Sequence, residues 1–157
     1  MEYWLRMELA TSRKMTGSSP SKRGWNHLPP VMVAKEAYLW AADAAVSGRG
    51  AVLGLENAEY GPRYGWNRDP RTGVTAPLVF GKKLDYRDEA IAGDIKYLWE
   101  PNRHLHFPAL AQAFLLSGDP KYLRALGDHI GSWIEQCPYP RGPNWTSALE
   151  TAIRLIN

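Results

Sequence analysis

The chain has 157 residues, 45% of them hydrophobic, and a formal net charge of +3, which is enough length for one domain with a buried core and only a modest pull toward an acidic partner. Cys137 is the only cysteine, which excludes an internal disulfide and a thiolate cluster for zinc or iron. No run approaches the ~20 apolar residues of a membrane span. The opening MEYWLRMELATSRKMTG has no uninterrupted apolar stretch and no small-residue cleavage site, so it does not read as a signal peptide.

In chain order, Trp4, Leu5, Leu9 and Ser12 predict a short basic helix that ends before Gly17-Ser18-Ser19-Pro20. Residues 1–30 are thereby set apart as a basic helix and loop, and 31–157 as the main helical unit. The run from Val31 to Ser47 has apolar residues at helical spacing between Pro29-Pro30 and Gly48 and predicts a helix. Gly50 to Gly93 is rich in Gly, Pro and Asn with weak periodicity, and predicts long connecting loops with a short strand at Leu78 to Phe80. Pro101 suits a first helical turn, and its helix is predicted to run to Leu116, before Ser117-Gly118. Asp119 and Pro120 form an N-cap with proline at the first helical position, opening a helix through Gln136 that must return antiparallel after so short a turn. Asn144 then caps a last helix that runs to Asn157 with no stop signal, so the chain reads as the front of something larger.

Two clusters of polar residues fall on these helices. Asn102, Arg103 and His106 share one face by their spacing, a set of amide, guanidinium and imidazole able to hold a carboxylate or sulfate at a helix start. Equally, Arg103 pairs with a nearby acid and His106 is a packing residue. His104 and His106 point apart on a helix, which argues against a metal there. On the last helix Trp145, Leu149, Ile153 and Ile156 make an apolar stripe opposite Ser147, Glu150, Thr151 and Arg154. Glu150 and Arg154 are either an exposed i,i+4 ion pair worth ~0.3–0.5 kcal/mol or the lining of a groove. Asn144 with Trp145 is cap plus core residue, or amide plus stacking ring for a sugar. The loop Gly61 to Gly73 mixes Tyr64 and Trp66 with Arg63, Arg68 and Arg71, a pattern shared by single-strand nucleic-acid binders and binders of acidic polysaccharide, with no nucleic-acid fold motif beside it. Phosphate-loop, dinucleotide, nucleophile-elbow and zincin patterns are all missing.

WNRDPRTG (Trp66 to Gly73), LDYRD (Leu84 to Asp88), GDIKYLWEPNRHLHFPALAQAFLLSGDPKY (Gly93 to Tyr122), SWIEQ and NWTSALETAIRLIN together resemble the N-terminal domain of the heparinase II/III family of polysaccharide lyases. The resemblance runs from about Leu53 to the end and is most specific at Trp99 to His106 and Asn144 to Arg154. Pro108 departs from the pattern by sitting inside a predicted helix, where it would kink it.

The resemblance implies an all-α fold, an incomplete (α/α) toroid of antiparallel helical hairpins with a long irregular loop region in its middle, truncated at the C-terminus and followed in complete members by a β-sandwich domain. It implies cleavage of uronic-acid-containing polysaccharides, heparan-like or bacterial, by β-elimination. An Asn with His or Arg neutralises the uronate carboxylate, and a Tyr or His base takes the C5 proton. Those groups are expected beyond Asn157, so no catalytic residue is assigned. Asn102, Arg103, His106, Asn144, Trp145, Glu150 and Arg154 match recurrent family positions and are expected to line the groove or orient its helices. No metal or cofactor is implied. The partner is an acidic polysaccharide, with no nucleic acid and no membrane. The family implies a periplasmic or secreted location, and a cytoplasmic one otherwise. The alternative is a non-catalytic tetratricopeptide-like interaction module, suggested by the Gly118-Asp119-Pro120 turn. It requires ~34-residue self-similarity, which the chain lacks.

Overall fold

The computed structural model describes residues 35–156, so the basic helix expected at Trp4 to Ser12 and the entry at Val31 lie outside the described residues. The fold is mostly helical, with one small two-stranded sheet. Helix α1 spans Lys35–Val46. A hairpin of β1 (Arg49–Val52) and β2 (Leu55–Glu59) follows, antiparallel, with Arg49 opposite Glu59. The expected strand at Leu78 to Phe80 does not form, and Phe80 makes only an isolated bridge with Arg141. The hairpin was hidden because LENAE lacks β-branched residues and alternation. Between β2 and α2 the backbone is irregular.

Short helices α2 (Glu89–Ala92) and α3 (Ile95–Trp99) are capped by Asp88 and Asp94, whose carboxylates accept from Ala90 N and Lys96 N. The helix expected from Pro101 to Leu116 is broken: Pro101–Arg103 is a single 3-10 turn, His104 is left-handed at φ 61°, and α4 begins only at His106 and runs to Ser117. Pro108 thus sits in the first turn of α4, where no intrahelical donor is lost, and the expected kink is avoided. Gly118 (φ 73°) ends α4, and the Asp119 carboxylate accepts from Lys121 N to open α5 (Pro120–Gln136). After the Pro143–Trp145 turn comes α6 (Ala148–Ile156).

The hairpin α4–α5 packs on α1. Their shared core is Ala42 and Ala45 of α1, Leu110 and Ala113 of α4, and Tyr122 and Ala125 of α5, where the alanines let the three backbones come close. A second cluster, Tyr64, Trp66 and Cys137, lies under α5 and takes in Phe107 and Trp133. A third, Ala76, Ala92 and Leu98, seats α2 and α3.

Gly93 shows how tightly the irregular segment is docked. It has φ 68° and ψ −167°, a region open essentially to glycine alone, and a Cβ there would lie 2.7 Å from Cβ of Asp69. Gly93→Ala is expected to cost at least ~2 kcal/mol in urea unfolding, against about 1 kcal/mol for Gly118→Ala, where a Cβ meets nothing. Equal costs would show that the Asp69 contact is unimportant.

Candidate functional site

The two runs that stood out in the sequence meet in space. Arg103, in the turn before α4, grips Glu150 of α6 with two bonds, Nε to Oε2 at 2.8 Å and Nη2 to Oε1 at 2.9 Å, while its Nη1 donates to Glu100. Glu150 is 2% exposed. The expected surface pair of Glu150 with Arg154 is therefore replaced by a buried bidentate one. Arg154 instead donates to the Asn144 carbonyl, and its guanidinium lies over the rings of Trp133 and Trp145 at 5.5 and 5.4 Å. Its Nη1 is buried with no partner.

Asn144 is not the cap of α6. It is fully buried, and its amide donates to Cys137 Sγ and Asn67 Oδ1, while Ser147 Oγ accepts from Glu150 N in the capping role. Trp145 belongs to the preceding turn rather than to the helix stripe, and its indole donates to the Cys137 carbonyl. Burial pushes the Cys137 thiol up to about 12, so it is a packing group and not a nucleophile.

Asn102, Arg103 and His106 do not share a helix face, because the left-handed His104 separates the turn from α4. Asn102 is fully buried: its amide donates to the carbonyls of Trp66 and Leu98, and its Oδ1 accepts from Trp133 Nε1 at 2.7 Å. His106 points elsewhere, into a stack with Tyr64 (5.2 Å), Trp66 (5.8 Å) and His129 (5.4 Å). Tyr64 and His104 both hold positive φ, 47° and 61°, and both pack in this aromatic group. Such backbone costs of order 1–3 kcal/mol are sustained only where packing over-determines the conformation.

Burial lowers the pKa of all three histidines in the stack: His104 to about 4, with Arg154 adding repulsion; His106 well below its ordinary value, with His129 and His104 adding to the effect; and His129. They are neutral at pH 7. Among the described residues no His, Cys, Asp and Glu group is arranged to hold a metal ion, and no helix is long and apolar enough to cross a membrane.

Several residues of the site escaped the sequence reading. Asp69 is fully buried; burial raises its pKa, but bonds from Asp94 N, Arg71 N and the Thr72 hydroxyl and N outweigh this and hold it below the usual carboxylate range. The run Asp69-Pro70-Arg71-Thr72-Gly73 is a turn signature that announced this role. Asn67, Glu100, His129 and Trp133 carried no local signal. A cavity of about 430 Å³ opens between α1, the β-hairpin and the Pro101 turn, with His106, Tyr60 and Tyr64 in its wall. Of the seven expected site residues, only His106 reaches it.

No protein-family profile matches the chain, no curated protein matches it, and no solved structure matches it.

Two outcomes are expected of these contacts. Glu150→Gln should cost about 2–3 kcal/mol in denaturant unfolding, because it sets a buried amide N–H against one of the two Arg103 donors and leaves Glu100 to hold the guanidinium, and the double change Arg103→Met with Glu150→Leu should cost less than the single one. A cost for the double change exceeding the single would mean the ion pair itself is strongly stabilising. The histidines give a pH signature. Unfolded imidazoles take up protons below 6.5, whereas folded His104 refuses them until about 4, so stability is complete above 6.5 and is lost as pH falls through that window, by about 1.4 kcal/mol per unit for each such histidine. The urea midpoint should fall steadily across it, and His106→Phe and His129→Phe should each flatten the slope. A flat wild-type midpoint would contradict the buried neutral assignment.

Proposed function

We propose that the chain is the N-terminal helical portion of a polysaccharide lyase of the heparinase II/III type, in which α1, α4 and α5 are the first elements of an (α/α) toroid and the ligand is a uronate-containing acidic glycan. One observation carries the reading: the two runs on which the resemblance is most specific interlock through Arg103 and Glu150, although 47 positions separate them. That the two runs share one buried ion pair supports reading them as parts of a single structural unit. With the comparisons silent, the reading rests on those residues.

The glycan surface is Tyr139, Trp145 and Arg154. Tyr139 is 78% exposed and stands edge-on to Trp145 at 4.9 Å, and Arg154 lies over the same indole. Flat rings beside a guanidinium suit a sugar ring carrying a carboxylate. Asn102, Asn144 and Glu150 hold that surface in place and do not touch the glycan. The reacting groups are not assigned among these residues.

Isothermal titration of the 157-residue polypeptide with heparan sulfate and alginate oligosaccharides should show salt-sensitive binding, weakened roughly tenfold by Tyr139→Ala, which removes an exposed ring without touching the core. No unsaturated-uronate absorbance should develop. Binding to neither glycan would favour a helical interaction module, and absorbance from this polypeptide alone would show that it carries the chemistry.

A further inference from the structure

We propose that the cavity between α1, the β-hairpin and the Pro101 turn is a binding site for a small planar organic cation of the amidinium or guanidinium class. The proposal is independent of the glycan reading, since Tyr139, Trp145 and Arg154 take no part in the cavity wall.

Size comes first. At about 430 Å³ the space falls within the range of cavities that take a small organic molecule. Its inner wall is aromatic: Tyr60 and Tyr64 stack at 4.8 Å, and His106 continues the stack from Tyr64 at 5.2 Å. At the mouth Trp40 is 68% exposed, although the other face of α1 supplies Ala42 and Ala45 to the core. A large indole held in water on the rim of an aromatic-walled cavity is a platform waiting for a flat partner, and a cation is the partner that an indole and phenol faces attract most.

The charge around the cavity has the matching sign. Asp43, Glu56 and Glu100 face it, against Arg49. Asp43 is balanced by Lys121 at 2.9 Å. Glu100 is only partly balanced, because it shares the guanidinium of Arg103 with Glu150, and Glu150 takes the bidentate grip while also facing the field of Arg154. Glu56 makes no ion pair with any described residue. Arg49, the first residue of β1, donates its Nε to Ser47 Oγ just past the end of α1. The wall also holds an open polar atom, since the buried Nε2 of His106 has no hydrogen-bond partner among the described residues. Tyr60 feels the field: its phenol is pushed up by burial and then by Glu100. A flat cation with several N–H groups would meet Glu100 and Glu56 with its charged end and the exposed Trp40 indole with its face.

Benzamidine is the probe, with benzamide as its neutral isostere and benzoate as its anionic one. Titration into the full chain, followed by calorimetry and by tryptophan fluorescence, should show benzamidine binding at least ~10-fold tighter than benzamide and benzoate weakest. Trp40→Ala should weaken benzamidine about tenfold and Glu56→Gln about threefold to tenfold; both residues are exposed, so the thermal melt should be unchanged. Glu56→Gln should also narrow the preference for benzamidine over benzamide, a change that loss of shape alone does not produce. Benzamide binding as well as benzamidine, benzoate binding better, or no saturation by about 10 mM would each overturn the proposal. A benzamidine affinity indifferent to both substitutions would place the ligand elsewhere and overturn it too.

Discussion

Asn102 is the hinge of the structure. Between β2 and α2 the chain has no regular structure beyond a 3-10 turn at Gly81–Lys83, yet Tyr64, Trp66, Asn67 and Asp69 are buried. Buried backbone without a ladder finds its partners in local turns, such as Asp69 N to the Val74 carbonyl and Ala76 N to the Asn67 carbonyl, and among side chains. Asn102 supplies them in both directions, donating to the carbonyls of Trp66 and Leu98 while accepting from the Trp133 indole. One amide thus joins the irregular segment, α3 and α5. Gln136 repeats the device on the Tyr64 carbonyl, Asn67 on the Gln136 carbonyl, and Asp69 on the amides of Arg71 and Asp94. Each such bond contributes about 1 kcal/mol net, but removing one partner exposes the other to a desolvation cost of about 1–3 kcal/mol. The network is therefore worth more for the alternatives it forbids than for the stability it adds.

The same constraint explains the orientation of α6. The helix is strongly amphipathic, and a surface helix of that kind normally buries its apolar side. Here Glu150 is 2% exposed while Leu149, Leu155 and Ile156 are 65%, 84% and 82% exposed. Arg103 decides it. Held in the Pro101–Arg103 turn, its guanidinium meets Glu100 through Nη1, and its other edge, Nε and Nη2, is met by Glu150 of α6, which packs against that turn. The two-bond grip on Glu150 fixes which side of α6 faces inward. The outward apolar face is a surface suited to association.

The parts of this fold that were legible in the sequence are those whose signals are local. Asp119, Pro120 and Gly118 announce a helix stop and a helix start within three residues, and the structure has both at those positions. Helix α1 was readable from its apolar spacing and the Gly48 stop, and the structure has it over Lys35–Val46. What was not legible depends on distant partners. The run from Pro101 to Leu116 looks continuous because nothing in the residue type of His104 demands a left-handed backbone; it is the packing of its ring on Phe107 at 4.4 Å and Trp133 at 4.9 Å that holds it. Asn144 has the side chain of an N-cap, but it is buried in the turn before α6, with its amide donating to Cys137 and Asn67 and its Oδ1 accepting from no backbone N–H of the helix. Helices α2 and α3 were missed because four or five residues are too few for a period, although Asp88 and Asp94 cap them.

The expected site residues separate by solvent access, and that separation assigns their work. Asn102, Asn144 and Glu150 are sealed from water, so a ligand cannot reach them without unfolding the clamps they close. Their spacing in the sequence records the geometry of the clamp. Trp145 and Arg154 are half-buried, and His106 reaches a cavity wall but not the carboxylates at its mouth. A polar residue that stands out in a sequence because its type is costly to bury is thus more often paying for the shape of a site than acting in it. The exposed residues on which the two proposals rest attract no notice in a linear reading: Trp40 on an ordinary helix, Glu56 in a weak strand, and Tyr139 in a proline-rich turn.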